Sequence, residues 1–310
     1  RRAPRQGGSY VPHTARKPVI MTRYVLITGA TSGIGLATAK RALDSGYHVI
    51  GCCYPDLSSG EALQQYAPER VSLVETDVSS EASMVAAYAQ ITELVGAEGL
   101  TGLVNCAGMA LLCPAELISV AEFSRVINVN LVGTFAMSRM ALPLLRRAGG
   151  TIVNISSDAG LLSMPTGSAY CASKFGVEAL SDALRAEVRT QGVKVVLIEP
   201  GNIDTPIWNS FQAPLQQKLA GLDAEQKALY KGYLDGLLAM GGQGIKPEQV
   251  ADTIVHTLQA KRKKARYLVG PDARVSWLVA KLPAFLRDRL TESIIRSYAV
   301  KSEKARQARG

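Results

Sequence analysis

The sequence contains no run approaching about 18 consecutive apolar residues, so no membrane-spanning helix is expected. Its five cysteines are Cys52, Cys53, Cys106, Cys113 and Cys171, an odd number without CxxC spacing. That pattern argues against a disulfide scaffold and against a zinc site, and it suits a reducing, cytoplasmic compartment. His13, His48 and His256 are too scattered to form a metal cluster, so no metal is expected. There is no internal repeat, no low-complexity segment and no secretory apolar core near the start. Residues 1–20 hold no acid at all, and residues 301–310 hold only Glu303.

Those two acid-poor ends carry most of the net charge of +9. Arg1, Arg2, Arg5, Arg16 and Lys17 lie at one end; Lys301, Lys304, Arg306 and Arg309 lie at the other. The intervening chain is close to neutral, so a basic nucleic-acid-binding surface is not implied. The expected organisation is a basic extension over 1–20, one domain over 21–300 and a basic tail over 301–310. Both ends are expected to be solvated and mobile. Met21 could be a native start. The Arg-rich first segment has the charge of a transit peptide, but Pro4, Pro12 and Pro18 oppose the amphipathic helix that one needs.

With 47% hydrophobic and 20% charged residues, the chain can bury a large core and remain soluble. Short apolar runs alternate with helical spacing from Arg23 onward. Strands are expected at 24–29, 47–53, 71–77, 102–108, 150–157, 193–201 and 265–271. Helices are expected at 33–43, 80–95, 119–147 and 168–190, and another from Pro247. This alternation makes right-handed βαβ units. The fold class is therefore α/β: a single-domain doubly wound parallel sheet of about seven strands, with helices on both faces and ligands at the carboxyl ends of the strands. Residues 206–246 break the rhythm and include Trp208, Phe211, Tyr230, Tyr233, Leu237, Leu238 and "GGQG". The segment reads as a substrate lid, or else as a peripheral helical hairpin.

"TGATSGIG" (28–35) ends the first strand and opens a helix. Gly29, Gly33 and Gly35 would let the backbone turn tightly and approach a diphosphate at the helix N-terminus. Strand two ends in Cys53, Tyr54, Pro55 and Asp56. No Arg or Lys stands there to meet a 2′-phosphate, whereas Asp56 could accept from a ribose hydroxyl, so NAD is favoured over NADP.

Tyr170 and Lys174 in "SAYCASKFG" are one helical turn apart and share a face. A nearby ammonium favours a phenolate, whose ordinary pKa is about 10. By itself such a pair is as readily two surface neighbours. Here it has company: Ser157 at the end of strand five, Asn130 on the preceding long helix, "NCAG" (105–108) after strand four and "PGNIDT" (200–205) after strand six.

Taken together and in order, these motifs resemble the short-chain dehydrogenase/reductase family in its single-domain form, over roughly residues 22–270. The resemblance implies an oxidoreductase that moves a hydride between a nicotinamide cofactor and a carbonyl or secondary alcohol. Tyr170 would be the general acid/base and Ser157 would stabilise charge on the substrate oxygen. Lys174 would clamp the nicotinamide ribose and depress the Tyr170 pKa. Asn130 would anchor a water in the proton relay. Ser156 would point away and carries no role. Thr28, Gly29, Ser32, Gly33, Ile34 and Gly35 would line the diphosphate, with Tyr54 beside the adenosine and Asp77 and Val78 against adenine. Asn105, Ala107 and Gly108 would support the cofactor strand. Pro200, Gly201, Ile203 and Thr205 would lie along the nicotinamide. Cys106 stands where the family often has a second Asn.

The ending of strand two and the stretch 267–290 look like the retinol, hydroxysteroid and hydroxybutyrate branch. An apolar substrate fits the content of 206–246. The alternatives are an NADPH-dependent 3-oxoacyl thioester reductase and a non-catalytic nucleotide-binding regulator. Family members are commonly dimers or tetramers, so a homo-oligomer is expected. Residues 275–298 could form an amphipathic helix at a membrane surface, or could pack on the body or on a second subunit.

Overall fold

The structure is a computed structural model that describes residues 22–239 and 244–307. The expectations for residues 1–20, for Met21 and for most of "GGQG" lie outside the described residues. So do the side chains of Trp208 and Phe211 and those of 301–310.

Seven strands form one parallel sheet in the order β3-β2-β1-β4-β5-β6-β7. They are β1 (Tyr24–Thr28), β2 (His48–Cys53), β3 (Val71–Glu75), β4 (Gly102–Asn105), β5 (Thr151–Ile155), β6 (Lys194–Pro200) and β7 (Arg266–Val269). β1, β2, β4, β5 and β6 are apolar and almost fully buried, as strands covered on both faces require, whereas β3 and β7 at the sheet edges are only partly buried. Alternate residues feed opposite layers. Val25, Ile27, Val49, Val104 and Val153 pack with α1 (Gly33–Asp44), α2 (Glu61–Tyr66) and α9 (Pro247–Gln259). Leu26, Ile50, Leu103 and Ile152 pack with α3 (Glu81–Val95), α5 (Gly133–Ala148) and α6 (Ser168–Val188). The expected helices on both faces are present. The strand order reverses between β1 and β4, which opens a crevice at their carboxyl ends.

Among the elements that depart from the sequence reading, three reshape the body. The long helix expected over 119–147 is two helices, α4 (Val120–Ile127) and α5, joined by a wide helical turn at Asn128–Val132. Ser119 and Glu122 close a reciprocal capping box at the start of α4. The wide turn adds one residue to the spiral and holds Asn130 against the backbone of Met109. Secondly, the strand expected to reach Asp77 stops at Glu75, because Asp77 accepts from the Ser79 N–H and hydroxyl and starts a turn. Thirdly, the single helix considered over 275–298 is split into α10 (Pro271–Val279) and α11 (Ala284–Gln307). Pro283 lies in the break, and its carbonyl accepts from Leu286 and Arg287 of the new helix.

The insertion forms α7 (Ile207–Gly221) and α8 (Ala224–Ala239). Leu215, Leu234 and Leu237 bury themselves with Cys113 in a separate small core. Lys218 Nζ ties this pair to the body, donating to Leu117 O at 2.8 Å and to Glu122 Oε2 at 2.9 Å. α11 packs along α8. Its helical backbone runs on to Gln307. Among the described residues no helix is long and apolar enough to cross a membrane.

Candidate active site

A cavity of about 820 Å³ lies over the carboxyl ends of β1, β4, β5 and β6. The glycine turn forms one end. Gly29 has φ +65°, and a Cβ there would stand 2.9 Å from Ala107 Cα. A Cβ on Gly35 would stand 2.0 Å from the Gly29 carbonyl oxygen. Neither position tolerates a side chain without moving backbone. Ser32 precedes α1 without a side-chain capping bond, and the first turn carries no acid. The N–H groups of Gly33, Ile34 and Gly35 come before the first intrahelical bond, from Leu36 to Ser32. This is a cradle for an anionic diphosphate.

Most of the residues expected at the site meet on the walls. Gly29, Ser32, Gly33, Ile34, Gly35, Ala107, Gly108, Ser157, Tyr170, Lys174, Pro200, Gly201, Ile203 and Thr205 all line the cavity. Others stand behind it or beyond it. Thr28 is fully buried and does not line the diphosphate end as expected. Its hydroxyl accepts instead from the N–H groups of Cys106 and Ala107, each at 3.0 Å, and so fixes the turn after β4. Asn105 also lies beneath the wall. Its amide donates to Ser138 at 2.9 Å and to Asn154 at 2.8 Å, and Asn154 donates to Ser181 at 2.8 Å. This buried ladder locks β4 and β5 to α5 and α6. Tyr54, Asp77 and Val78 sit near the ends of β2 and β3, outside the cavity wall. Asp56 Oδ1 accepts from Ser58, capping a short turn.

Asn130 is buried behind the wall. Its oxygen accepts from Met109 N–H and its amide donates to Met109 O and Ser173 Oγ, all at 2.9 Å. Ser173 in turn donates to the Tyr170 carbonyl at 2.7 Å. Both amide hydrogens are thus committed to holding the 109 loop and the first turn of α6 in place.

Tyr170 and Lys174 project from the first two turns of α6 as the spacing demands. Lys174 is buried, and its Nζ donates to Ile155 O at 2.9 Å, 5.7 Å from the centre of the Tyr170 ring. Burial lowers the Lys174 pKa to about 8, opposed by the nearby Cys106 and Glu178. Burial likewise pushes the Tyr170 phenol above its ordinary value, with Ser157 pulling the other way. Without a cofactor in the cavity, burial is the largest influence on the phenol. Ser156 also borders the cavity, while its hydroxyl lies beside Gly160 and Glu178.

Sequence reasoning missed one entire side of the cavity. Met164 comes from the loop before α6, and Val275, Ser276, Val279 and Ile294 come from α10 and α11. It also missed Asp158, whose only signal was an acid directly after Ser157.

The sequence model of the short chain dehydrogenase family matches residues 23–216. The chain belongs to this family. Retinol dehydrogenase 7 of Mus musculus is 35% identical over 281 residues, covering 87% of this chain and 88% of that protein. Short-chain dehydrogenase/reductase family 9C member 7 of Homo sapiens is 34% identical over 278 residues, covering 86% and 88%. A short-chain dehydrogenase from Streptomyces avermitilis superposes with a TM-score of 0.68 at 26% identity, covering 93% of this chain and 98% of its own. As a member of this short-chain dehydrogenase family, the protein is a nicotinamide-dependent oxidoreductase acting on alcohol or carbonyl groups. The glycine cradle and the uncapped start of α1 fit the diphosphate of such a cofactor.

Proposed function

We propose that the enzyme interconverts an apolar alcohol and its carbonyl, of the retinoid or steroid kind, with NAD as the preferred carrier. The observation that carries this reading is a polar cluster of Ser157, Tyr170 and Lys174 facing an apolar wall of Leu112, Met164, Leu237, Val275 and Val279 in one cavity. The retinol dehydrogenase relatives support the substrate class. When bound, the nicotinamide supplies the hydride acceptor or donor. The protein's own groups do the rest. Tyr170 exchanges a proton with the substrate oxygen, and Ser157 stabilises charge on that oxygen. The Lys174 ammonium holds the cofactor ribose. Asn130 keeps the Tyr170 turn and the 109 loop in register. Tyr54, Asp77 and Val78 flank the adenosine. α7 and α8 act as the lid over the substrate, contributing Ile207 and Leu237 to the wall.

The preference for NAD rests on the residues after β2, which offer the Asp56 carboxylate and no cation. Parallel fluorescence titrations with NADH and NADPH, followed by assays of all-trans-retinol oxidation, test the proposal. NADH binding at least tenfold tighter, about 1.4 kcal/mol, is expected together with retinol turnover. Tighter NADPH binding by the same factor would overturn the preference and favour thioester reduction.

The same reading includes self-association. Phe123, Val132, Phe135 and Phe175 are exposed on α4, the wide turn, α5 and α6, an apolar face suited to a second copy. Sedimentation should give a mass two or four times the 33.0 kDa of one chain, and a monomer would refute it. All five cysteines are free thiols, which supports a reducing, cytoplasmic setting.

A further inference from the structure

Asp158 lies one residue beyond Ser157, in the short turn that follows β5. Ser157 Oγ stands 2.9 Å from Asp158 Oδ1. The second carboxyl oxygen accepts from Ser276 Oγ of α10 at 3.2 Å. An ionised carboxylate can only accept, so the hydrogen between Ser157 and Asp158 belongs to the serine. Ser157 Oγ also accepts from the Ala159 N–H at 3.1 Å. With Asp158 ionised, the one hydrogen that Ser157 owns is directed at the carboxylate, and the substrate oxygen has none. A protonated Asp158 reverses the bond: its O–H donates to Ser157 Oγ, and the serine O–H is released to the cavity.

We infer that Asp158 is a positioning residue whose proton decides whether Ser157 can donate to the reacting oxygen. The inference rests on the reading of Ser157 as the group that meets that oxygen. The surroundings favour the protonated form. Tyr170 and Cys171 face Asp158 from α6, and Asp272 faces it from α10; none of these is a cation. Burial is the main cause that lifts its pKa above the ordinary carboxylate value, with Asp272 adding to it and the two serine hydroxyls opposing it.

Ser157 would act on charge developing in the transition state, which is common to both directions of the reaction. Its release therefore changes kcat/KM for oxidation and reduction by the same factor. A residue needed only for structure would lower activity on removal. Asp158 should do the opposite above its titration midpoint.

Infrared titration of the carboxyl C=O stretch in cofactor-free protein tests the bond itself, with Asp158→Asn identifying the band. Ser157→Ala and Ser276→Ala each remove a donor to the carboxylate, so each should move the midpoint to higher pH. Kinetics with all-trans-retinol and all-trans-retinal test the consequence. In the parent, kcat/KM in both directions should carry a limb that falls as pH rises through that midpoint. Asp158→Ala should lose the limb and gain roughly tenfold on its alkaline side, the scale of one hydrogen bond to a charged group. Ser276→Ala, which leaves the turn after β5 intact, should shift the limb upward with the infrared midpoint. An infrared midpoint unmoved by Ser157→Ala, or a limb that survives Asp158→Ala, would overturn the inference. If the retinoid pair is not turned over but Ser157→Ala still moves the midpoint, the bond stands and the substrate reading fails.

Discussion

Tyr170 and Lys174 are governed by burial more than by their partners. Tyr170 is raised, Lys174 is lowered, and both shifts favour the neutral form in the cofactor-free cavity. The same force acts beneath the site. Glu178 of α6 and Glu199 of β6 converge on Arg266 of β7, whose Nε is 3.2 Å from Glu178 Oε2 and 3.2 Å from Glu199 Oε1. Arg266 also reaches Asp182 at 2.6 Å, so one guanidinium answers three carboxyls. Burial, then Glu178, push Glu199 up to about 7. The folded state therefore holds a proton that the unfolded chain releases near its ordinary value of about 4.3. Stability conferred by that proton is complete below the unfolded value and is lost as pH rises toward 7. Glu199→Gln carries no such dependence. Its unfolding free energy from urea titration should match the parent near pH 4 and exceed it at pH 8, by on the order of 1 kcal/mol. An equal difference at both pH values, or a loss at pH 8, would contradict this reading.

At the scale of elements, most strands were legible because each is a short apolar run buried on both faces. Their ends were less so. β3 stops at Glu75 and β5 at Ile155 because polar side chains turn the backbone there, through Asp77 with Ser79 and through Ser157 with Ala159. The wide turn at Asn128–Val132 was hidden for a different reason. Local spacing across 119–147 is helical throughout; the extra residue is stabilised by Met109, 21 positions away in sequence. The walls supplied by α10 and α11 were hidden in the same way. Their apolar residues read as amphipathic, but the surface they cover is set by the packing of α11 on α8. Asp158 was missed because its link to Ser276 spans 118 positions.

For the whole molecule, chemistry follows from topology. The reversal of strand order places the ends of β1, β4, β5 and β6 around one crevice, and residues from Gly29 to Thr205 meet there. The glycine turn, the buried Asn105–Asn154–Ser181 ladder and the Asn130 clamp are separate devices that hold one geometry. The motifs that carried the family resemblance are the residues on or directly behind this wall, which is why so much of the site could be read in advance. What that reading lacked was the closing side, built from helices that sequence order places last. The central claim is that Tyr170 moves the proton while the other groups hold cofactor and substrate. Comparing Tyr170→Phe with the parent for both NADH affinity and retinol turnover tests it most directly. The account predicts turnover lower by roughly 10²–10⁴ with NADH affinity nearly unchanged; turnover equal to the parent's would contradict it.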